Sequence, residues 1–352
     1  MAQAAPITRL PENPLITPEH VTASRSDLDV AGAFNAGVAR GGDNLVLVLR
    51  IAERPKEQAQ GWVAAPSWNK NSGDLDVLRI REVDLDAPAT DPRLFRYRGV
   101  TYLTTVSHLR CARSTDGVHF EIDLQPALRP ELPSESFGIE DPRVTWLEPF
   151  WWITYTAVSP LGLTTALART EDLRDFVPLG NILYPEATNA VLFPGKIDDH
   201  HLSLTRPASG GFNRSATWLA SSKDLFVWRA FKPVFMPRPG RWDGVRVGAG
   251  CVPFRVEEGW LLIYHGVDET NRYSMGAMLL DADSPSKVLA RSEEPLLEPN
   301  EDYELQGFYG GVVFPCGADV HGDNVTIYYG AADRTTCGAV TTVKALLEHL
   351  GR

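Results

Sequence analysis

The chain has 352 residues, a formal net charge of −11, and 43% hydrophobic and 22% charged residues. That length allows a large core in one domain or two, and the apolar fraction excludes a disordered chain. The carboxylate surplus argues against a nucleic-acid binder, whose affinity rests on clustered Lys and Arg. It leaves room for a local basic pocket and favours a neutral or small ligand.

In chain order, the first segment (1–30) lacks the basic-then-apolar layout of a signal peptide and reads as an amino-terminal arm. No apolar run reaches the about 18–20 residues that span a bilayer, so no membrane association is expected. Then come short apolar and aromatic runs broken by Gly, Pro, Asp and Asn: NLVLVLRI (44–51), VTYLTTVSHLRCA (100–112), PFWWITYTAV (149–158), GWLLIYHGV (259–267) and NVTIYYGAA (324–332). This is the pattern of many short antiparallel strands. Helical periodicity is confined to VTTVKALLEHL, Val340 to Leu350, so residues 340–352 read as a carboxy-terminal helix. Cys111, Cys251, Cys316 and Cys337 are widely spaced, without the C-x-x-C of a zinc or redox site. Free thiols and a cytoplasmic location are the simplest expectation.

The runs also repeat. A small or apolar cluster (AGVAR, DPRLFRY, DPRVTWL, NAVLFPGKI, GAGCVPFRV, GGVVFPCGA) leads through a polar turn to an aromatic strand and then a third segment with a short acidic turn. The period is roughly fifty to sixty residues, the size of a four-stranded propeller blade. The six starts give five blades if the first and last share one, closing a ring over residues 31–339. The alternative is two β-sandwiches with coincidental spacing; D-P-R at 91–93 and again at 141–143 favours the repeat. In a propeller, polar residues at equivalent strand ends converge on one pocket. Here that position carries Arg50, Glu53, Arg54, His108, Arg110, Tyr155, Arg206, His265, Asp333 and Arg334.

The densest cluster is Ser136-Phe137-Gly138-Ile139-Glu140-Asp141-Pro142-Arg143. Pro142 is expected to hold the chain extended before it, and a rigid acidic pair beside an arginine can present a carboxyl with a controlled pKa. Equally, Asp141 can cap a turn while Arg143 makes a structural ion pair. The D-P-R at Asp91 lacks the preceding Gly-Ile-Glu and reads as structural. Trp146, Trp151, Trp152, Trp242 and Tyr273 are candidates to stack on the apolar face of a ligand; Trp242 and Tyr273 sit in turn-rich loops beside the motifs. His200-His201 falls in a turn, and no metal site is expected.

GIEDPR with WITYTA, VLFPGKI with LSLTRP, RVGAG with WLLIYHGV, and GGVVFPCGA with IYYGAAD together resemble glycoside hydrolase family 130 from about Phe34 to Asp333. The family comprises β-mannoside phosphorylases and β-1,2-mannosidases. The resemblance implies a five-bladed, all-β propeller with a short carboxy-terminal helix. It makes Asp141 the general acid of an inverting reaction, its proton in several members passing through a sugar hydroxyl. Asp333 becomes a ligand of the mannosyl residue undergoing transfer, and Arg206 and His265 lie near the anion or nucleophile position. Arg246 falls where many phosphorylases have a lysine. Arg143, Arg54, Tyr273 and Trp242 are the further substrate-binding candidates.

An inverting hydrolase needs a second carboxylate about 6.5–9.5 Å from the acid to activate water. A phosphorylase needs cations to clamp phosphate instead. The segment Glu186-Ala187-Thr188-Asn189 lacks the basic residue common in the phosphorylases, and Phe193-Pro194-Gly195-Lys196 lacks the usual acid. The expectation is therefore a hydrolase of β-1,2-linked manno-oligosaccharides, with Glu269 as base or else a solvated loop carboxylate. The alternatives are a phosphorylase releasing α-mannose 1-phosphate, with Arg206, Arg246 and His265 holding phosphate, and a catalytically silent sugar-binding propeller. No cofactor is expected, only inorganic phosphate as co-substrate in a phosphorylase. The partner is an oligosaccharide, and self-association through the arm or the terminal helix is left open.

Overall fold

The computed structural model describes residues 7–42, 44–207 and 215–352. It is nearly all β, with short 3-10 turns and two short α-helices, Asp302–Leu305 and Val343–His349. The strands form five successive antiparallel sets. The first comprises Leu28–Gly41, Asn44–Pro55 and Val106–Ser114, with Glu121–Ile122 at its edge. The second runs Gly138–Leu147, Phe150–Ser159, Gly162–Thr170 and Phe176–Asn181, and a single parallel bridge, Gly138 to Ser107, joins it to the first. The third is Ala187–Ile197, His200–Pro207, Thr217–Ser222 and Arg229–Phe235. In the fourth, Arg246–Ala249 and Phe254–Val256 both pair with Gly259–Val267, followed by Tyr273–Leu280 and Val288–Arg291. The fifth is Val313–His321, Asn324–Ala331 and Thr335–Thr342, completed by the amino-terminal strand Thr8–Arg9.

Strands that are apolar along most of their length must bury both faces, and they do so between sheets. Val48, Cys111, Ile139 and Ile153 pack between the first and second sets. Leu167, Leu192 and Trp228 pack between the second and third, Phe193, Val247 and Leu262 between the third and fourth, and Ile263, Met275, Val313 and Ile327 between the fourth and fifth. Tyr328 of the fifth set packs with Leu45, Leu47 and Leu49 of the first. Each fully buried Leu, Ile or Val contributes about 1.5–3 kcal/mol, so the inter-sheet layers carry the fold. All four cysteines are buried and unpaired.

Two expectations shift. The terminal helix begins at Val343, not Val340, because Val340, Thr341 and Thr342 still pair with Thr326, Val325 and Asn324. Thr342 Oγ1 then caps the helix by accepting from the Ala345 amide (3.0 Å). The D-P-R at 91–93 starts none of these five sets. It opens a hairpin, Leu94–Tyr97 with Val100–Leu103, inside an insertion between two strands of the first sheet. With the hairpin Trp62–Asn69 and Asp74–Arg81, that insertion has its own small core of Ala65, Ile80 and Phe95.

Candidate active site

One cavity of about 640 Å³ gathers residues from all five sheets. Its acidic side is built by a repeated backbone device. The first strands of the first three sheets each carry a register shift, at Phe34/Gly37, Glu140/Arg143 and Thr188/Val191. Inside each shift a short polar residue adopts left-handed backbone: Asn35 (φ 52°), Asp141 (φ 52°) and Asn189 (φ 54°). Such bulges re-aim side chains, and Asn and Asp tolerate the conformation best. All three line the cavity.

Arg50, from the second strand of the first sheet, ties the acids together. Its Nη2 donates to Glu140 Oε1 (2.6 Å), its Nη1 to Asp141 Oδ1 (3.2 Å) and its Nε to Ser107 Oγ (3.1 Å). Asn35 Nδ2 donates to the same Asp141 oxygen at 2.8 Å. A Cβ on Gly330 would lie 2.0 Å from Asn35 Oδ1, so only glycine there lets the amide seat. Asp333 accepts from Arg93 Nη1 at 3.2 Å, and Arg93 also lies 3.5 Å from the centre of the Tyr309 ring. Burial pushes the Glu140 carboxyl up to about 7, with Arg50 opposing the rise and Asp141 and Asp333 adding to it. Burial likewise raises Asp333, against the pull of Arg93 and Arg50.

The other side is cationic. Arg206 Nη2 donates to Thr188 Oγ1 (3.1 Å) and its Nη1 faces His265 Nε2 at 3.5 Å. Arg246 Nη1 donates to the Tyr273 hydroxyl at 2.9 Å. Neither arginine has an ion-pair partner among the described residues, and Arg206 Nε is buried without a hydrogen-bond partner there. Burial, and next the charge of Arg246, lower Arg206 to about 10. His265 is held neutral, well below its ordinary value, by burial and then by Arg206, Arg143 and Arg246. Two half-buried guanidiniums without carboxylates are costly unless an anion joins them.

Asp141, Asp333, Arg206, Arg246 and Tyr273 thus line one cavity, with His265 directly behind Arg206. Four other candidates lie elsewhere. Arg143 is 1% exposed, donating to Gly250 O (2.5 Å) and Asp141 O (2.6 Å), so it braces the Asp141 backbone from behind and cannot touch a sugar. Glu269 is exposed in a turn held by Asp268, whose Oδ1 accepts from the Thr270 and Arg272 amides; it does not line the cavity. Trp242 packs on Tyr264 and donates Nε1 to Glu293 O (3.0 Å), outside the lining. Arg54 lines a neighbouring cavity instead. Asn35, Asn189 and Arg93 were not anticipated. The signal for the first two is the N-A pair at 35–36 and 189–190, standing where D-P stands at 141–142. Among the described residues no His, Cys, Asp and Glu cluster is suited to a metal ion, and no helix is long and apolar enough to cross a membrane.

The chain is 42% identical over 348 residues to the β-1,2-mannobiose phosphorylase of Listeria innocua serovar 6a, covering 98% of each. It is 36% identical over 242 residues to a 1,2-β-oligomannan phosphorylase of a Thermoanaerobacter species, covering 68% of this chain and 80% of that one. The solved Listeria innocua enzyme in complex with β-1,2-mannobiose superposes with a TM-score of 0.95 over 98% of this chain and 99% of that one. A structure reported for GH130 glycoside hydrolases that target β-1,2-mannosidic linkages in Candida mannan shares the fold, with a TM-score of 0.75 at 20% identity over 96% of this chain and 94% of that one. Residues 92–352 match the family model described as β-1,4-mannooligosaccharide phosphorylase, and the chain belongs to glycoside hydrolase family 130.

Proposed function

We propose that the protein is an inverting phosphorylase of β-1,2-linked mannosides, converting a β-1,2-manno-oligosaccharide and inorganic phosphate into α-mannose 1-phosphate and the shortened sugar. The observation that carries this reading is the pair Arg206 and Arg246, both half-buried with no carboxylate partner among the described residues and lining the same cavity as Asp141. A phosphate oxygen held there forms the bond to the anomeric carbon from the face opposite the leaving group. Asp141 supplies the proton to the departing glycosidic oxygen as that bond breaks, and the configuration inverts. Arg50 and Asn35 hold the Asp141 carboxyl, while Asp333, held by Arg93, is the acceptor for mannosyl hydroxyls. Phosphate needs no protein base, so the exposed position of Glu269 is no obstacle.

The expected hydrolase is the weaker reading, since its base candidate lies outside the cavity and the Listeria innocua relative, matched over 98% of each chain, is a phosphorylase. The test is incubation with β-1,2-mannobiose with and without phosphate. Mannose 1-phosphate formed only with phosphate is the expected result; equal release of free mannose without it would restore the hydrolase. We further propose that the five sheets are blades of one closed propeller over residues 28–342, its last blade completed by Thr8–Arg9. Five inter-sheet cores and the pairing of Thr8–Arg9 with the last sheet support this.

A further inference from the structure

A second cavity of about 630 Å³ adjoins the first, and the chemistry above makes no use of it. Phe308 lines both. Elsewhere only a narrow rib divides them: Pro92 and Thr104 face the second cavity, while Arg93 and Thr105 face the first. The rib is pinned, Thr104 Oγ1 donating to Pro92 O at 2.7 Å and the Thr104 amide to Arg93 O at 2.9 Å.

The wall of this second cavity has its own chemistry. Trp62 is 45% exposed on it, outside the small core of its own hairpin. Arg54 contributes an Nε buried without a hydrogen-bond partner among the described residues. Unlike the phosphate side of the active cavity, the other two arginines here are neutralised. Arg79 donates to Glu57 at 3.0 Å and Arg334 to Glu19 at 2.6 Å. An exposed indole face beside polar, largely charge-balanced groups suits a pyranose ring with its hydroxyls, and not an anion.

We propose that this cavity is a distal subsite that holds the reducing-end mannosyl residues of chains longer than a disaccharide, threaded past Phe308 from the active cavity. The inference rests on the phosphorylase reading, because that reading fixes which end of the sugar is transferred.

The test is phosphorolysis of β-1,2-mannobiose, -triose, -tetraose and -pentaose by the wild type, Trp62→Ala and Trp62→Phe. In the wild type kcat/KM rises with chain length. Trp62→Ala removes that gain through KM, by about three- to tenfold on the longest sugar, and leaves mannobiose unchanged. Trp62→Phe, which keeps an aromatic face, retains most of it. No length dependence in the wild type, or an equal loss on every sugar in Trp62→Ala, overturns the subsite while the functional reading stands. Absence of phosphorolysis with every sugar sinks the functional reading instead. Calorimetric binding of the pentaose then decides the groove separately: binding lost in Trp62→Ala supports it, and binding unaffected by that change overturns it.

Discussion

Asn35 and Asp141 are 106 residues apart in sequence, yet Asn35 Nδ2 donates a 2.8 Å hydrogen bond to Asp141 Oδ1. Both residues sit in equivalent bulges of neighbouring sheets with the same left-handed backbone. With Oδ1 also accepting from Arg50, Oδ2 is the oxygen left for the glycosidic oxygen in the proposed reaction. Asn35→Ala is therefore expected to lower kcat about 10- to 100-fold, the worth of one hydrogen bond to a charged group. KM for phosphate should stay near the wild-type value, because the phosphate side is untouched. Steady-state kinetics in both substrates check this; a rise in phosphate KM at unchanged kcat counts against the role.

Arg206 gives a prediction about stability as well as activity. It is half-buried with Thr188 and His265 as its neighbours, and no carboxylate offsets its charge among the described residues. Phosphate binding should therefore stabilise the folded protein, by about 2.7 kcal/mol at a hundredfold excess over Kd. Arg206→Met should abolish that stabilisation and phosphorolysis together. Without phosphate, the variant should be at least as stable as the wild type, because a half-buried uncompensated charge has been replaced by an apolar chain of similar length. Thermal melts with and without phosphate read both effects. A phosphate shift that survives in Arg206→Met would move the anion site elsewhere.

Much of the sheet framework was legible because short, nearly continuous apolar runs bounded by Gly/Asp turns leave few other solutions. GWLLIYHGV is read as 259–267 and forms the strand Gly259–Val267. The terminal helix start was misread because Val-Thr-Thr suits a strand or a cap equally, and pairing with Asn324–Thr326 decides it. Residues on strands of the repeat (Asp141, Arg206, Arg246, His265) come together because the sheet register sets their direction. Glu269 and Trp242 depend on which way a loop turns, and that is set by partners remote in sequence or by local turn bonds: Glu293 for Trp242, and Asp268 for the turn that carries Glu269. The D-P-R at Asp91 reads as structural because it lacks the preceding Gly-Ile-Glu. Arg93 does pair with Asp91, but the same guanidinium also reaches Asp333, 240 residues away.

Gly138 ties the fold to the site. Its φ is 118°, and a Cβ there would sit 2.4 Å from the Ser107 amide nitrogen, which is backbone and cannot swing aside. Gly138→Ala is thus expected to cost about 3 kcal/mol or more through strain and displacement together. The damage should extend to activity, because Gly138 opens the strand that carries Glu140 and Asp141, and Ser107 also receives Arg50. A denaturant titration paired with kinetics at a temperature where the variant is folded separates the two. Wild-type stability in Gly138→Ala would show that the strand can shift away from Ser107 at little cost.

Glu140 makes stability depend on pH in a definite direction. Its carboxyl rises from 4.5 to about 7 on folding, chiefly through burial. Between those values the folded protein keeps a proton that the unfolded chain has released. The unfolded state therefore binds fewer protons, and stability falls as pH rises through this window. Above it both states are ionised and this contribution is level. Glu140→Gln keeps an oxygen to accept from Arg50 Nη2 but cannot titrate. The unfolding free energy of the wild type, taken relative to Glu140→Gln, is expected to decline as pH rises from about 4.5 to 7 and then to flatten. Asp333, also raised by burial, contributes with the same sign to both proteins and largely cancels in the difference. Urea titrations of the two proteins at about pH 5, 6, 7 and 8 measure it. A difference that is constant across that range would mean that Arg50 keeps Glu140 ionised throughout, and the acidic side of the cavity would then carry its full negative charge during turnover.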